Sequence, residues 1–422
     1  MKKMHDGTGA KTISLTVLLV SAVLLSGLAG VPFVGKVTAE GLYDWPMFHH
    51  DLEHTGYSES PAPSTNQTLW TYMTGGSVLS SPAVVDGKVY VGSYDNNIYC
   101  FDAATGAKIW NYTTGSDVFS SPAVADGRVC VGSFDKKVYC LDAATGAFLW
   151  SYTTGSAVYS NPVFSNDRVY VGSTDSAIYC LEAASGALVW NYTTGWGVQA
   201  TAAVANGRVY IGSTDKSVYC LDATTGAKIW NYTTGDQAHN PTIADGKVYV
   251  GSSDDNLYCL SASTGTLIWN YTSGGDVLTA PAIGDGKVYI GSYDNMVYCL
   301  DALSGAFVWN YTTGGDVFSS LAVADGKVYG GSFDKIFYCL NAATGAFTWS
   351  FVTGGSLSLF YSSPAVANGV VYVGASDRQL YAFSAGPPIP EGLAIEIMLL
   401  ISTAAVIVGS RYFRKRTKFE RW

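Results

Sequence analysis

The chain has 422 residues, of which 14% are charged, 14% are aromatic and 47 are glycine. This composition is too apolar and aromatic for an intrinsically disordered chain, and it suits many short strands joined by glycine-containing turns. Residues 40–390 carry 14 basic and 29 acidic side chains, and this negative charge argues against nucleic-acid binding. It is compatible with cations or neutral glycans as ligands, or with a surface that is simply well solvated.

Residues 1–39 have the pattern of an export signal. Lysines at the start precede an apolar run from Ile13 to Val34, and Val37-Thr38-Ala39 resembles a small-residue cleavage site. The apolar run is long for a signal peptide, so an uncleaved N-terminal anchor is the alternative.

Residues 40–67, the lead-in segment, precede the first repeat and are predicted to pack on the repeat domain. Three of the five histidines lie here within six residues. Imidazole and carboxylate groups are common metal ligands, so His49, His50, Asp51 and His54, with Glu53 nearby, form a candidate metal cluster. Packing on the domain is the preferred interpretation, and we predict no resident metal and no cofactor.

Residues 68–385 consist of repeats of about 40 residues. Each repeat ends in a tryptophan, and the spacing is 40 residues except for one step of 39: Trp70, Trp110, Trp150, Trp190, Trp230, Trp269, Trp309 and Trp349. The repeat at 121–150 holds four short apolar segments, and its Asp126-Gly127 pair favours a type I′ hairpin. Four strands in about 40 residues is the pattern of one β-propeller blade.

The phase of the repeats predicts the number of blades. Seven complete units end at the tryptophans from Trp110 to Trp349, and the last unit, Ser363 to Ala385, lacks a fourth strand. Thr68–Tyr72 can supply that strand and close the ring. We therefore predict an all-β, eight-bladed propeller of four-stranded blades.

Most repeated residues have a structural explanation. Each tryptophan is predicted to wedge between neighbouring blades. Asp102 and its equivalents Asp142, Asp222 and Asp301 can accept turn N–H bonds, and Gly106 supplies a positive φ. We therefore predict no catalytic residue among them.

Seven cysteines occupy one equivalent position in different blades, which places them too far apart for disulfides: Cys100, Cys140, Cys180, Cys220, Cys259, Cys299 and Cys339. Cys130 takes a second-strand tyrosine position, and its register places it opposite Cys140. The sequence therefore leaves one candidate disulfide, Cys130–Cys140.

Glycosylation motifs of the form Asn-X-Thr occur at Asn66, Asn111, Asn191, Asn231, Asn270 and Asn310. Five of them directly follow a wedge tryptophan, so strand alternation should point the asparagine outward. Because repeats copy motifs, the five count as little more than one observation.

The C-terminus has the pattern of a membrane anchor. Residues 386–392 form a proline-rich linker, and Leu393–Gly409 is apolar except for Glu396. We predict a transmembrane helix at 393–410 and a basic cytoplasmic tail at 411–422. The protein would then be a single-pass cell-membrane protein with an extracellular propeller.

Function in propellers usually lies on loops near the axis, where blades differ. The loops after Trp190, Trp230 and Trp349 depart most from the repeat. They provide the candidate ligand contacts Trp196, Gln199, Asp236, Gln237, His239, Asn240, Phe360 and Tyr361. Aromatic and amide groups together suit sugars or peptides, and repeat drift without function is the alternative.

Residues 140–150, Cys-Leu-Asp-Ala-Ala-Thr-Gly-Ala-Phe-Leu-Trp, resemble the tryptophan-docking repeat of pyrroloquinoline quinone enzymes and their non-enzymatic relatives. The lead-in at 44–58 resembles theirs as well. The resemblance implies either a calcium- and quinone-dependent dehydrogenase or a scaffold such as the outer-membrane assembly lipoprotein. The paired cysteines of those enzymes are absent here, and Glu182 is the one glutamate within the repeats.

The C-terminal Pro390-Glu391-Gly392, the apolar span and the basic cluster resemble the tails of archaeal surface proteins. We therefore predict a non-enzymatic, membrane-anchored binding or scaffold protein whose partner is an unidentified extracellular protein or glycan. A quinone-dependent dehydrogenase and a structural component of a surface layer are the alternatives.

Overall fold

The computed structural model describes residues 43–354 and 360–385. The predicted export signal, proline-rich linker, transmembrane helix and cytoplasmic tail lie outside these residues. Within the described ranges, no helix is long and apolar enough to cross a membrane.

Eight four-stranded antiparallel sheets form the blades, and a two-residue strand is added to the seventh. The added strand β1 is Tyr57–Ser58, and the closing strand β2 is Gln67–Met73. Blade 1 contains β3 (Ala83–Val85), β4 (Lys88–Gly92), β5 (Asn97–Asp102) and β6 (Lys108–Thr113); blade 2 contains β7 (Ala123–Ala125), β8 (Arg128–Gly132), β9 (Lys137–Asp142) and β10 (Phe148–Thr153). Blade 3 contains β11 (Val163–Ser165), β12 (Arg168–Gly172), β13 (Ala177–Glu182) and β14 (Leu188–Thr193); blade 4 contains β15 (Ala203–Ala205), β16 (Arg208–Gly212), β17 (Ser217–Asp222) and β18 (Lys228–Thr233). Blade 5 contains β19 (Ala238–Ala244), β20 (Lys247–Ser252), β21 (Asn256–Ser261) and β22 (Leu267–Thr272); blade 6 contains β23 (Ala282–Gly284), β24 (Lys287–Gly291), β25 (Met296–Asp301) and β26 (Phe307–Thr312). Blade 7 contains β27 (Ala322–Ala324), β28 (Lys327–Gly331), β29 (Ile336–Asn341) and β30 (Phe347–Val352); blade 8 contains β31 (Ala365–Ala367), β32 (Val370–Gly374), β33 (Gln379–Ser384) and β2.

The predicted eight-bladed propeller is confirmed, including the way the ring closes. Strand β2 pairs antiparallel with β33, and Trp70 lies opposite Ala382. The closing strand is one residue longer at each end than the predicted Thr68–Tyr72. The first strand of each blade is innermost, and its hairpin has the predicted positive φ at both central residues, as at Asp126 (49°) and Gly127 (69°).

The repeated tryptophans join each blade to the next. Seven of the eight indole N–H groups donate to a backbone carbonyl, at distances between 2.9 and 3.3 Å. Six of these acceptors are alanine carbonyls of the following blade, as in Trp110 to Ala143. Trp349 instead donates to Pro63 in the lead-in segment, because blade 8 has no third-to-fourth-strand turn of its own. The Trp269 indole N–H is buried without a partner.

The lead-in segment follows the innermost strands around the axis. Trp45 exchanges two backbone hydrogen bonds with Val84 in blade 1. Further along the segment, lead-in carbonyls accept backbone bonds of 2.7–2.8 Å from blades 2, 4, 5, 6 and 7: Val124 to Pro46, Val204 to Leu52, Ile243 to Glu53, Ile283 to Thr55, and Val323 to Gly56. The segment therefore lies along the innermost strands and closes one end of the axial channel.

All eight cysteines are buried free thiols. Cys130 and Cys140 lie directly opposite each other on neighbouring strands, as the register predicted. Burial raises the pKa of Cys100 to about 12 and that of Cys180 to about 11. Thiols of this kind contain almost no reactive thiolate at neutral pH.

We expect that none of the cysteines of the native protein reacts with a thiol reagent at pH 8 within minutes, because the thiols are buried and protonated. In denaturant all eight should react, and six would react if Cys130 and Cys140 were bridged. The intact mass before and after reduction provides the check, because reduction of one disulfide bridge would increase the mass of the protein by about 2 Da. Fast labelling of the native protein would contradict the burial of these residues.

Candidate functional site

A cavity of about 390 Å³ lies on the propeller axis. Seven blades each contribute one equivalent residue to its lining, from the loop that leads into the innermost strand: Ser81, Ser121, Asn161, Thr201, Asn240, Ser320 and Ser363. Phe48 of the lead-in segment also lines the cavity. Most of the lining residues belong to the fourth-to-first-strand loops, at the end of the channel away from that segment. We call this end the cavity mouth.

A ring of polar side chains holds the lining in place. The Ser81 N–H donates to the Ser121 hydroxyl at 2.8 Å, and the Ser121 N–H donates to the Asn161 side-chain oxygen Oδ1 at 2.6 Å. The same blade-to-blade pattern recurs from Thr201 to Asn240, from Ala280 to Ser320, from Ser320 to Ser363 and from Ser363 back to Ser81. Ala280, which has no polar side chain, interrupts the ring. These bonds fix the loops on all sides of the cavity.

Aromatic side chains form two opposite walls of the mouth. Phe119 and Tyr159 belong to one wall, where their ring centroids lie 5.8 Å apart, and Phe318 and Tyr361 belong to the other, at 4.9 Å. All four rings line the cavity and are partly exposed. Ring faces at such a site can stack on flat apolar groups or attract cations.

Amide and imidazole groups occupy the wall between the aromatic ones. Gln199, Gln237 and Asn240 line the cavity with His239, whose ring Nε2 lies 2.8 Å from the Ser253 hydroxyl oxygen. Burial lowers the pKa of His239 to about 4, despite the opposing influence of Asp236 and Asp254. The imidazole is therefore neutral at pH 7 and can act as a hydrogen-bond donor or acceptor.

Five of the eight predicted ligand contacts lie in the cavity lining: Gln199, Gln237, His239, Asn240 and Tyr361. Trp196 is 71% exposed and lies outside the lining. Asp236 also lies outside it, with its carboxylate 3.6 Å from the Lys216 ammonium. Phe360 is fully buried in the core, packed on Phe337, and is not accessible to a ligand. An unusual loop therefore carries both contact residues and packing residues.

Several lining residues were missed because they belong to the regular repeat. Phe119, Leu79, Leu278 and Phe318 occupy one repeated position just before the innermost strand, and Tyr159 occupies it in blade 3. These side chains lie close together around the axis only because the blades are arranged in a ring. The signal in the sequence was that this position is apolar or aromatic although its loop is otherwise polar.

The candidate metal cluster in the lead-in is not assembled. Among the described residues, no group of three or more metal-ligating side chains is close enough to hold an ion. The ring nitrogens of His49 lie 2.5 and 2.9 Å from the carbonyl oxygens of His54 and Leu321. His54 and His49 are fully buried, and burial lowers the pKa of both, that of His54 to about 3. These histidines therefore help to pack the lead-in segment against the propeller.

The six glycosylation motifs all have exposed asparagines, and five lie on outermost strands, as predicted from strand alternation. Their use as attachment sites stays a prediction.

The resemblance to quinone enzymes implies a quinone and a calcium ion in such an axial site. Calcium prefers several carboxylate oxygens, and a quinone with carboxylate groups needs cationic partners. The described lining contains no aspartate, glutamate, lysine, arginine or cysteine. The residues of this cavity therefore do not fit that cofactor.

Comparisons with known proteins agree with the repeat and the fold. A search of curated proteins finds no match. Solved structures with the same fold include a computationally designed protein named Ika8, with a TM-score of 0.69 and 20% identity, covering 75% of this chain and 99% of that one. BamB from Moraxella catarrhalis has a TM-score of 0.65 and 21% identity, covering 75% and 97%. A europium-containing methanol dehydrogenase has a TM-score of 0.71 and 16% identity, covering 81% and 98%.

The family model described as outer membrane protein assembly factor BamB matches residues 60–160, 135–240, 233–322 and 314–386, which together cover well over half of the chain. The chain therefore belongs to this repeat family.

Proposed function

We propose that this protein is a non-catalytic binding protein that recognises a protein or a glycan at the axial cavity. The observation that carries the proposal is the cavity itself, which is closed at one end and lined by aromatic faces and side-chain amides. Such a combination of flat apolar groups and fixed hydrogen-bonding groups is typical of recognition sites. The family includes the assembly factor BamB, and this relationship is compatible with a binding role.

The chemistry of the lining supports binding over catalysis. His239 and Ser253 form a hydrogen-bonded pair that could act as base and nucleophile. However, a histidine with a pKa of about 4 is a weak base. Within the described part of the chain, no carboxylate hydrogen-bonds to its Nδ1. The pair therefore lacks the group that would orient and strengthen the base. A failure to hydrolyse simple esters above the buffer rate would agree with this interpretation.

A glycan and peptide array, probed with the purified full-length chain, tests the proposal. For any ligand found, calorimetry should show that Tyr361→Ala weakens binding by about tenfold or more, because it removes an aromatic wall. Leu303→Ala, at an exposed apolar residue on the opposite face, is the matched control and should leave the affinity unchanged. Equal affinities for wild type and Tyr361→Ala would reject the cavity as the binding site.

We also propose that the C-terminal helix predicted from the sequence holds the propeller outside the cell. The support is the apolar stretch at 393–409 followed by a basic cluster. Protease added to intact cells should remove the propeller and leave a C-terminal tag protected. Protection of the propeller with loss of the tag would reverse the orientation.

A further inference from the structure

We infer that the ligand of the cavity mouth is cationic: a lysine or arginine side chain presented by a basic segment of a protein partner. This inference rests on the proposed binding function and specifies its ligand. It follows from two independent features of the mouth face, the aromatic clusters and the distribution of charge.

The aromatic walls belong to two clusters of four rings each. In the first, Phe134 lies 4.2 Å from Tyr159 and 6.0 Å from Tyr94, centroid to centroid. In the second, Phe333 lies 4.9 Å from Tyr361 and 6.2 Å from Tyr293. Phe119 and Phe318 complete the two clusters. All eight rings are partly exposed. A propeller gains no stability from exposing so many rings at one place, so they form a surface suited to a ligand.

The mouth face is also acidic. The loops at the mouth face join the second to the third strands and the fourth to the first strands. Together with the strand residues next to them, these loops carry 13 carboxylates and five basic groups, a net charge of −8. Counted in the same way among the described residues, the turns of the opposite face and the lead-in segment at that end carry 15 carboxylates and nine basic groups, a net charge of −6. A cation is attracted toward the mouth before it makes any contact.

Eight of the mouth carboxylates have a structural task, because one in each blade accepts a bond from a third-strand tyrosine hydroxyl, as Asp135 does from Tyr139 at 2.6 Å. Four of the other five belong to the fourth-to-first-strand loops around the axis: Asp117, Asp236, Asp276 and Asp316. Asp255 follows Asp254 in the second-to-third-strand loop of blade 5. Burial raises the pKa of Asp276, and Asp255 and Asp236 raise it further. Burial and Asp95 raise that of Asp117. These carboxylates repel one another, and a bound cation would relieve the repulsion.

Rings and carboxylates meet at the mouth. The Phe134 N–H donates to the Asp117 backbone carbonyl at 3.0 Å, and the Phe333 N–H donates to that of Asp316 at 2.9 Å, so each aromatic cluster is joined to one of these acids. Burial raises the pKa of Tyr94 and of Tyr293, and Asp117 and Asp316 contribute to these shifts. Aromatic faces with acids at their edges are the chemistry that binds ammonium and guanidinium groups. A neutral sugar would stack on the rings but would form no ion pair with the carboxylates. The cavity volume of 390 Å³ is at the small end for ligand pockets and suits one long side chain.

The test uses fluorescein-labelled hexa-arginine and measures anisotropy with the purified full-length chain. Hexaglutamate and hexaglycine with the same label are the comparison peptides. We expect hexa-arginine to bind and the other two not to bind, and its Kd should rise by about tenfold or more between 50 and 500 mM salt. Unlabelled hexalysine should compete.

Matched variants locate the site. The double variant Asp117→Asn/Asp316→Asn and the single variant Tyr361→Ala should each weaken binding by about fivefold or more. The control Asp126→Asn/Asp285→Asn removes two charges from the hairpin turns of the opposite face, where asparagine already occurs at Asn206 and Asn368. It should change the affinity by less than twofold, and circular dichroism should show that all variants are folded.

Equal losses in the mouth and control variants would overturn the inference, since binding would then reflect net charge alone. No preference for hexa-arginine over hexaglutamate would overturn it as well. If a neutral ligand from the array depends on Tyr361 while hexa-arginine does not bind, the proposed function stands and the cationic ligand is rejected. If no ligand depends on Tyr361, both fail.

Discussion

Replacement of Gly146 by alanine is expected to lower the free energy of unfolding by about 3 kcal/mol. Gly146 ends the third-to-fourth-strand turn of blade 2 with a φ of 72°, and a Cβ added there would lie 2.7 Å from ring atoms of Trp110. The Trp110 ring cannot retreat, because its N–H is bonded to the Ala143 carbonyl and the ring is held between blades. The cost thus combines an unfavourable backbone conformation with a steric clash. Urea unfolding of the purified chain measures it.

Gly127→Ala is the matched control for that experiment. Gly127 has nearly the same φ, 69°, but a Cβ added there would meet no atom within 4 Å. Its replacement should therefore cost only the backbone term, about 1 kcal/mol. Equal costs at the two glycines would show that contact with the tryptophan does not restrict Gly146.

Acidification from pH 6.5 to 4.5 is expected to destabilise the propeller through its buried histidines. Burial lowers the pKa of His54 in the fold to about 3, whereas its ordinary value is 6.5. The unfolded chain therefore binds more protons in this window, and the free energy of unfolding falls as the pH falls. The contribution of His54 is fully present above pH 6.5 and should decrease by roughly 2–3 kcal/mol by pH 4.5. Urea unfolding at the two pH values measures the change.

The variant His54→Asn isolates this effect, because asparagine does not titrate and tolerates the positive φ of 58° at this position. It should lose less stability than the wild type between the two pH values. An equal loss in the His54 variant and in the wild type would show that His54 is not the source of the pH dependence.

The regular part of the fold could be predicted because local and long-range signals agree. The Asp-Gly hairpins, the alternating strands and the tryptophan spacing all specify the same unit, and the missing fourth strand of blade 8 indicates how Trp70 closes the ring. The role of Gly106 was predicted only in part. Its positive φ follows from the turn, but its contact with Trp70 in the preceding strand of the ring appears only when blades are assembled.

The cavity could be predicted only in part, because the position of a residue relative to the propeller axis does not follow from the sequence around that residue. Gln199 and Tyr361 were found because their loops break the repeat. Phe119 and Phe318 were missed because their position repeats regularly and the axis alone brings them to a common site. Phe360 and Tyr361 are neighbours in sequence, yet one side chain faces the core and the other faces the cavity. Loop irregularity therefore identifies the region of a site more reliably than its residues.

The closing strand has a consequence for biosynthesis. Strand β2, Gln67–Met73, pairs with β33, which ends at Ser384. It must therefore remain without this partner until about 300 further residues have been synthesised. Contacts between such distant residues form slowly. During that interval Trp70, which is buried in the finished ring, lacks its contact with Tyr372 of blade 8. The newly made chain is consequently prone to aggregation at this strand, and completion of synthesis is what protects it.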